Sequence, residues 1–139
     1  MSGALARYLF AGQAAMELVF AWGCVRLLPF RWVVRYLGQP GAMAAPLQSE
    51  MLPAAGRIAW AVQAVARRGP VTFTCLMQAV AAQRMLRRRN IPATVYVAML
   101  AGRQAGVNPL LAHAWVRCGD RVVTGQCDES QYRVIATFA

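Results

Sequence analysis

The sequence predicts an α+β domain in which helices come first and a small antiparallel sheet comes last. Three observations predict it. Apolar residues recur at helical spacing as far as Arg89. After Pro92 the pattern changes to short runs rich in β-branched and aromatic residues. A length of 139 residues with 58% apolar content suits one core rather than two. The chain therefore divides into a helical N-terminal region, 1–70, and a mixed core, 71–139, within a single domain, 1–139.

The elements follow in order. Residues 5–37, rich in Ala, Leu, Phe and Trp, read as two short helices parted near Pro29, because proline interrupts a helix interior. Pro40, Gly41, Pro46 and Pro53 mark residues 39–53 as a connecting loop. From 54 to 68, Ile58, Ala61, Val62 and Val65 recur at helical spacing until Gly69-Pro70 ends the pattern. Thr72 or Thr74 caps the next helix, which starts near Cys75, runs to Arg89 and closes on Asn90 in a left-handed conformation. Residues 93–100, 112–117, 121–124 and 132–138 read as strands, with Gly119-Asp120 as a two-residue hairpin turn between the second and third. The sheet is expected to pack on the Cys75 helix.

Composition excludes several chemistries. All fifteen basic residues are arginines, which removes lysine Schiff bases, a lysine base and a lysine-bearing phosphate loop. Cys24, Cys75, Cys118 and Cys127 lack paired C-x-x-C spacing and His113 is the single histidine, so no metal site is expected. The formal net charge of +10 admits nucleic acid, an anionic membrane surface or an acidic peptide. Arg84, Arg87, Arg88 and Arg89 close a helix, where cations offset its dipole. No stacking aromatics are interleaved with them, so nucleic acid is not expected as a partner. Arg7, Glu17, Arg26, Arg31 and Arg35 interrupt the apolar N-terminal stretch, which argues against a cleaved signal and a full membrane crossing. The expected setting is reduced thiols in a bacterial cytoplasm, with a membrane surface as a further contact.

Cys75 is the residue on which chemistry converges. At a helix start, free backbone N–H groups and the helix dipole stabilise negative charge on a sulfur. His113 falls on a strand of the same small sheet, where an imidazole can reach that sulfur and later protonate a leaving amine. Trp115 shares the strand face of His113 by the two-residue period, as a cleft wall or a core aromatic. Cys24, Cys118 and Cys127 read as passive thiols.

The stretch Phe73-Thr74-Cys75-Leu76, with Gln78, Ala79, Leu86, Arg87 and Ile91-Pro92-Ala93, and then Ala112-His113-Ala114-Trp115-Val116, resembles the transglutaminase-like cysteine proteases that remove leader peptides in lasso-peptide biosynthesis. The start of the chain, including Leu27-Leu28-Pro29-Phe30-Arg31, resembles that of the stand-alone protease of the pathway. The resemblance implies a transglutaminase-like, papain-like fold and a cysteine peptidase that uses no cofactor. Cys75 would attack the scissile carbonyl and His113 would serve as the acid and base. It also implies three partners: a precursor peptide with its leader, a separate leader-recognition protein, and an ATP-dependent cyclase that closes the macrolactam. The alternatives are a catalytically weak scaffold of the same fold and a basic amphipathic module that binds a membrane or a partner.

The resemblance implies an aspartate twelve positions beyond the histidine to orient its ring, and that position is Gly125. With a regular two-residue hairpin, Gln126 pairs directly with His113 and Asp128 lies diagonal to it on the same face. Charge favours Asp128 and geometry favours Gln126; Asp128 is the preferred third catalytic residue, Gln126 the alternative, and a backbone carbonyl or water the remaining candidate. The apolar surface of residues 9–33, rimmed by arginines, either mediates association or covers the sheet.

Overall fold

A computed structural model describes residues 3–100 and 112–139. Helix α1 spans Gly3–Leu27, the one-turn α2 spans Phe30–Val33, α3 spans Leu52–Arg68 and α4 spans Cys75–Arg88. Strands β1 (Thr94–Leu100), β2 (Ala112–Cys118), β3 (Arg121–Thr124) and β4 (Tyr132–Phe138) form one antiparallel sheet in the order β3-β2-β1-β4. The architecture is α+β, helices before sheet.

The N-terminal region differs from the expected pair of short helices. A single 25-residue helix comes first, and only one turn of α-helix follows Pro29. Arg7, Glu17 and Arg26 do not interrupt α1 because arginine and glutamate are good helix formers. The helix is also long and apolar enough to cross a membrane by length and composition, with a mean hydropathy of 1.3 over 18 residues. Its inner face nonetheless belongs to this domain. Ala14, Leu18 and Ala21 are fully buried in the core, and buried Glu17 accepts from Arg84 at 2.6 Å and pairs with Arg88 at 2.9 Å, both on α4.

Helix α3 begins earlier than expected, since Pro53 stands in its first turn, where a missing N–H costs nothing. Asn90 closes the end of α4 at φ 56°, as its sequence position predicts. Gln83 of α4 is buried; its amide donates to the carbonyls of Leu37 at 2.9 Å and Ala93 at 3.3 Å. That one side chain ties the segment after α2 and the start of β1 to the central helix. The core lies between α4, its helical neighbours and one face of the sheet, with Val80, Leu86, Val95 and Val116 fully buried.

Candidate active site

Thr74 precedes α4 in an extended conformation, and its hydroxyl accepts from the Met77 N–H at 3.3 Å. The Gln78 N–H donates to the Thr74 carbonyl at 3.0 Å. Among the described residues these bonds leave the N–H groups of Cys75 and Leu76 unpartnered at the positive end of the helix. Cys75 is the first residue of α4 and is partly exposed. A developing oxyanion beside its sulfur would meet backbone donors already in place.

Cys75 and His113 line one open cleft of about 330 Å³. Gln63 and Arg67 of α3, Gln78 of α4, and the Gly125-Gln126 segment complete most of its wall. The lining holds a cation and three amides but no carboxylate.

The His113 Nε2 lies 2.7 Å from the Gly125 carbonyl oxygen. A carbonyl oxygen only accepts, so this bond places a proton on Nε2 and leaves Nδ1 as the basic nitrogen of the neutral ring. The backbone therefore fills the orienting role for which Asp128 and Gln126 were the side-chain candidates. Asp128 instead caps a short 3₁₀ turn, accepting from the Ser130 hydroxyl at 2.6 Å and the Ser130 N–H at 3.2 Å. Gln126 does reach the cleft lining, but its amide donates to the Val122 carbonyl at 3.2 Å.

A β-bulge is the reason. Cys118 pairs with Arg121 and Arg117 with Val122, as a two-residue turn requires, but Val116 then pairs with Thr124. Val123 is the extra residue, and it shifts everything beyond it by one position relative to the regular hairpin. The Gln63 amide donates to the Val123 carbonyl at 2.6 Å, so α3 satisfies the group that the bulge frees from the ladder. Beyond the bulge the chain turns through Gly125 at φ 77°. A Cβ there would lie 2.4 Å from the Ala114 carbonyl oxygen and 2.9 Å from the Trp115 Cβ. No side chain fits where the resemblance implies an aspartate, and the close approach this allows brings the Gly125 carbonyl to the imidazole.

Trp115 is 2% exposed and does not line the cleft, which corrects the reading of it as a cleft wall. It packs behind the imidazole, with ring centroids 6.0 Å apart, and stacks on Tyr96 at 5.4 Å. Tyr132 flanks the histidine at 5.3 Å. Aromatic rings on two strands thus hold the imidazole, while the Gly125 carbonyl fixes its rotation.

The remaining thiols are held in the neutral form. Burial pushes Cys118 up to about 11 and raises Cys24 as well. Cys127 is raised by burial first, then by the charges of Glu129, Asp128 and Cys75. Among the described residues no cluster of His, Cys, Asp and Glu has the make-up of a metal site. Gln63 and Arg67 were missed at the sequence level; their signal is the polar break, one turn apart, in the apolar pattern of α3.

A thiol on a helix N-terminus and an oriented imidazole on a neighbouring sheet, sharing one cleft, form the arrangement of side chains that thiol-nucleophile chemistry requires. The chain belongs to the transglutaminase-like superfamily, whose family model matches residues 24–137, a span that includes Cys75, His113 and Gly125. That superfamily generally includes cysteine peptidases and transglutaminases. Neither the curated proteins nor the solved structures give a match to the chain.

Proposed function

We propose that this protein is a cysteine peptidase that removes the leader from a lasso-peptide precursor. The observation that carries the peptidase reading is the 2.7 Å bond from His113 Nε2 to the Gly125 carbonyl, in the cleft that also contains Cys75. The motif resemblance around Cys75 and His113 supplies the substrate class.

In this reading Nδ1 of His113 takes the thiol proton, and the Cys75 Sγ attacks the carbonyl carbon at the leader–core junction. The free N–H groups of Cys75 and Leu76 receive the negative charge on the tetrahedral oxygen. His113 then returns its proton to the departing core amine, leaving the leader as a thioester on Cys75. Water, activated by the same imidazole, releases the leader acid and restores the thiol. A separate leader-recognition protein presents the substrate, and an ATP-dependent cyclase uses the freed amine.

The test is incubation of the protein with a precursor and its recognition partner, followed by mass spectrometry. A single cut at the leader–core junction, lost in Cys75→Ala and in His113→Ala, supports the reading. A cut that persists in either variant overturns it.

A further inference from the structure

Helix α1 is apolar on both faces. The inner face packs in the core, while Tyr8, Leu9, Met16, Val19 and Leu27 lie within about 100° of one another on the outer face, with Tyr8 77% and Leu27 82% exposed. A helix apolar all round is normally covered on all sides. Beyond its C-terminal end, exposed Leu28, Phe30 and Trp32 continue the apolar surface.

The charge beside that surface has one sign. Arg35, Arg84, Arg87 and Arg88 line a cavity of about 200 Å³ together with Tyr36. Glu17 is the carboxylate paired there, bound to Arg84 and Arg88, which leaves the cavity with a net charge of about +3. The guanidinium of Arg35 lies 4.2 Å from the ring centre of exposed Trp32, and that of Arg26 lies 5.5 Å from the ring of Trp22. Tryptophan and arginine side by side at the margin of an apolar face suit the boundary between acyl chains and anionic headgroups.

We infer that the outer face of α1 lies in the plane of an anionic lipid surface, with the arginine-lined cavity, which adjoins the middle of α1 at the C-terminal end of α4, receiving lipid phosphate. A crossing is disfavoured by the Glu17 ion pairs and by the inner residues packed in the core, both of which would have to be broken. Docking in the plane breaks neither. The arginines of the cavity come mainly from the C-terminal end of α4, whereas Cys75 begins that helix. A helix of 14 residues is about 20 Å long, so the docked protein keeps its cleft open to a peptide.

The test is sedimentation of the full chain with vesicles of phosphatidylcholine alone or with about one-third phosphatidylglycerol. The expected result is strong binding to the anionic vesicles, weak binding to the neutral ones, and release by high salt. The pair Arg35→Gln/Arg87→Gln should lower partition about tenfold or more. The exposed pair Met16→Gln/Val19→Gln should also lower it, through the apolar face. Failure to bind anionic vesicles at low salt overturns the inference and leaves the face to a protein partner. Equal binding to both vesicle types, or binding that either pair leaves unchanged, overturns it as well. The readout is sedimentation, so the result stands whether or not the protein cleaves a leader.

Discussion

The imidazole of His113 and the backbone carbonyl of Gly125 are joined by a 2.7 Å hydrogen bond, made where β3 ends and the chain turns back toward the sheet. The orienting acceptor is a main-chain atom, so no side-chain deletion removes it directly.

Asp128→Ala and Gln126→Ala should therefore each slow peptide cleavage by only about two- to three-fold, as neither side chain contacts the imidazole. A loss of 10² or more, the scale of a true triad member, would contradict the carbonyl assignment. Gly125→Asp, which installs the carboxylate at the implied position, should not improve activity. Its Cβ meets the Ala114 carbonyl oxygen at 2.4 Å, so thermal denaturation should show a loss of at least about 1–3 kcal/mol together with lower activity.

Gln63 supports the same bond from a distance, because its amide holds the bulged Val123 carbonyl at 2.6 Å. Gln63→Glu, nearly isosteric, would set a carboxylate oxygen against that carbonyl. Stability should fall by about 1–3 kcal/mol and the rate constant kcat should fall with it. If activity and melting temperature both stay at wild-type values, the bulge is held by something other than Gln63.

Much of this was legible in the sequence. The cap at Thr74 and Asn90 gave the ends of α4, Pro29 gave the break after α1, and runs of β-branched and aromatic residues gave four strands with nearly the observed limits. The pairing of His113 was not legible. A bulge adds one residue without any composition signal: Val122-Val123 reads as regular strand, and its register depends on an amide donated from α3, sixty positions earlier. The length of α1 was also hidden, because its charged residues face places that only the tertiary fold supplies. Glu17, the least expected residue in an apolar helix, is matched by arginines on α4.

Glu17 is 3% exposed and accepts from two guanidinium groups. Glu17→Gln should destabilise the fold by about 2–3 kcal/mol, less than a fully buried pair would lose, because Arg84 and Arg88 are partly solvated. Chemical denaturation compared with wild type measures this. A change under about 0.5 kcal/mol would show that the pair does not fasten α1 to α4.

Cys118 gives stability a defined alkaline limb. Burial favours the neutral thiol and raises it from the ordinary 9.0 to about 11 in the folded protein. Below pH 9.0 both folded and unfolded chains keep the proton; between 9.0 and about 11 only the folded chain does. Stability is thus fully present below the lower value and is lost as pH rises through the upper one, by about 2–3 kcal/mol in total. Denaturation midpoints across that window should fall less steeply in Cys118→Ala than in wild type. Parallel slopes would contradict the burial of this thiol.

In the proposed mechanism Cys75 is the nucleophile and His113 activates it. Brief iodoacetamide treatment of the native protein at neutral pH, with each of the four cysteines quantified by mass spectrometry, tests it most directly. Cys75 should be labelled first and alone, since burial keeps Cys24, Cys118 and Cys127 protonated. In His113→Ala the labelling of Cys75 should slow about tenfold or more, because the thiol loses the imidazole that takes its proton in the proposed mechanism. Equal labelling of all four thiols, or a Cys75 rate that His113→Ala leaves unchanged, would show that Cys75 is not activated by His113.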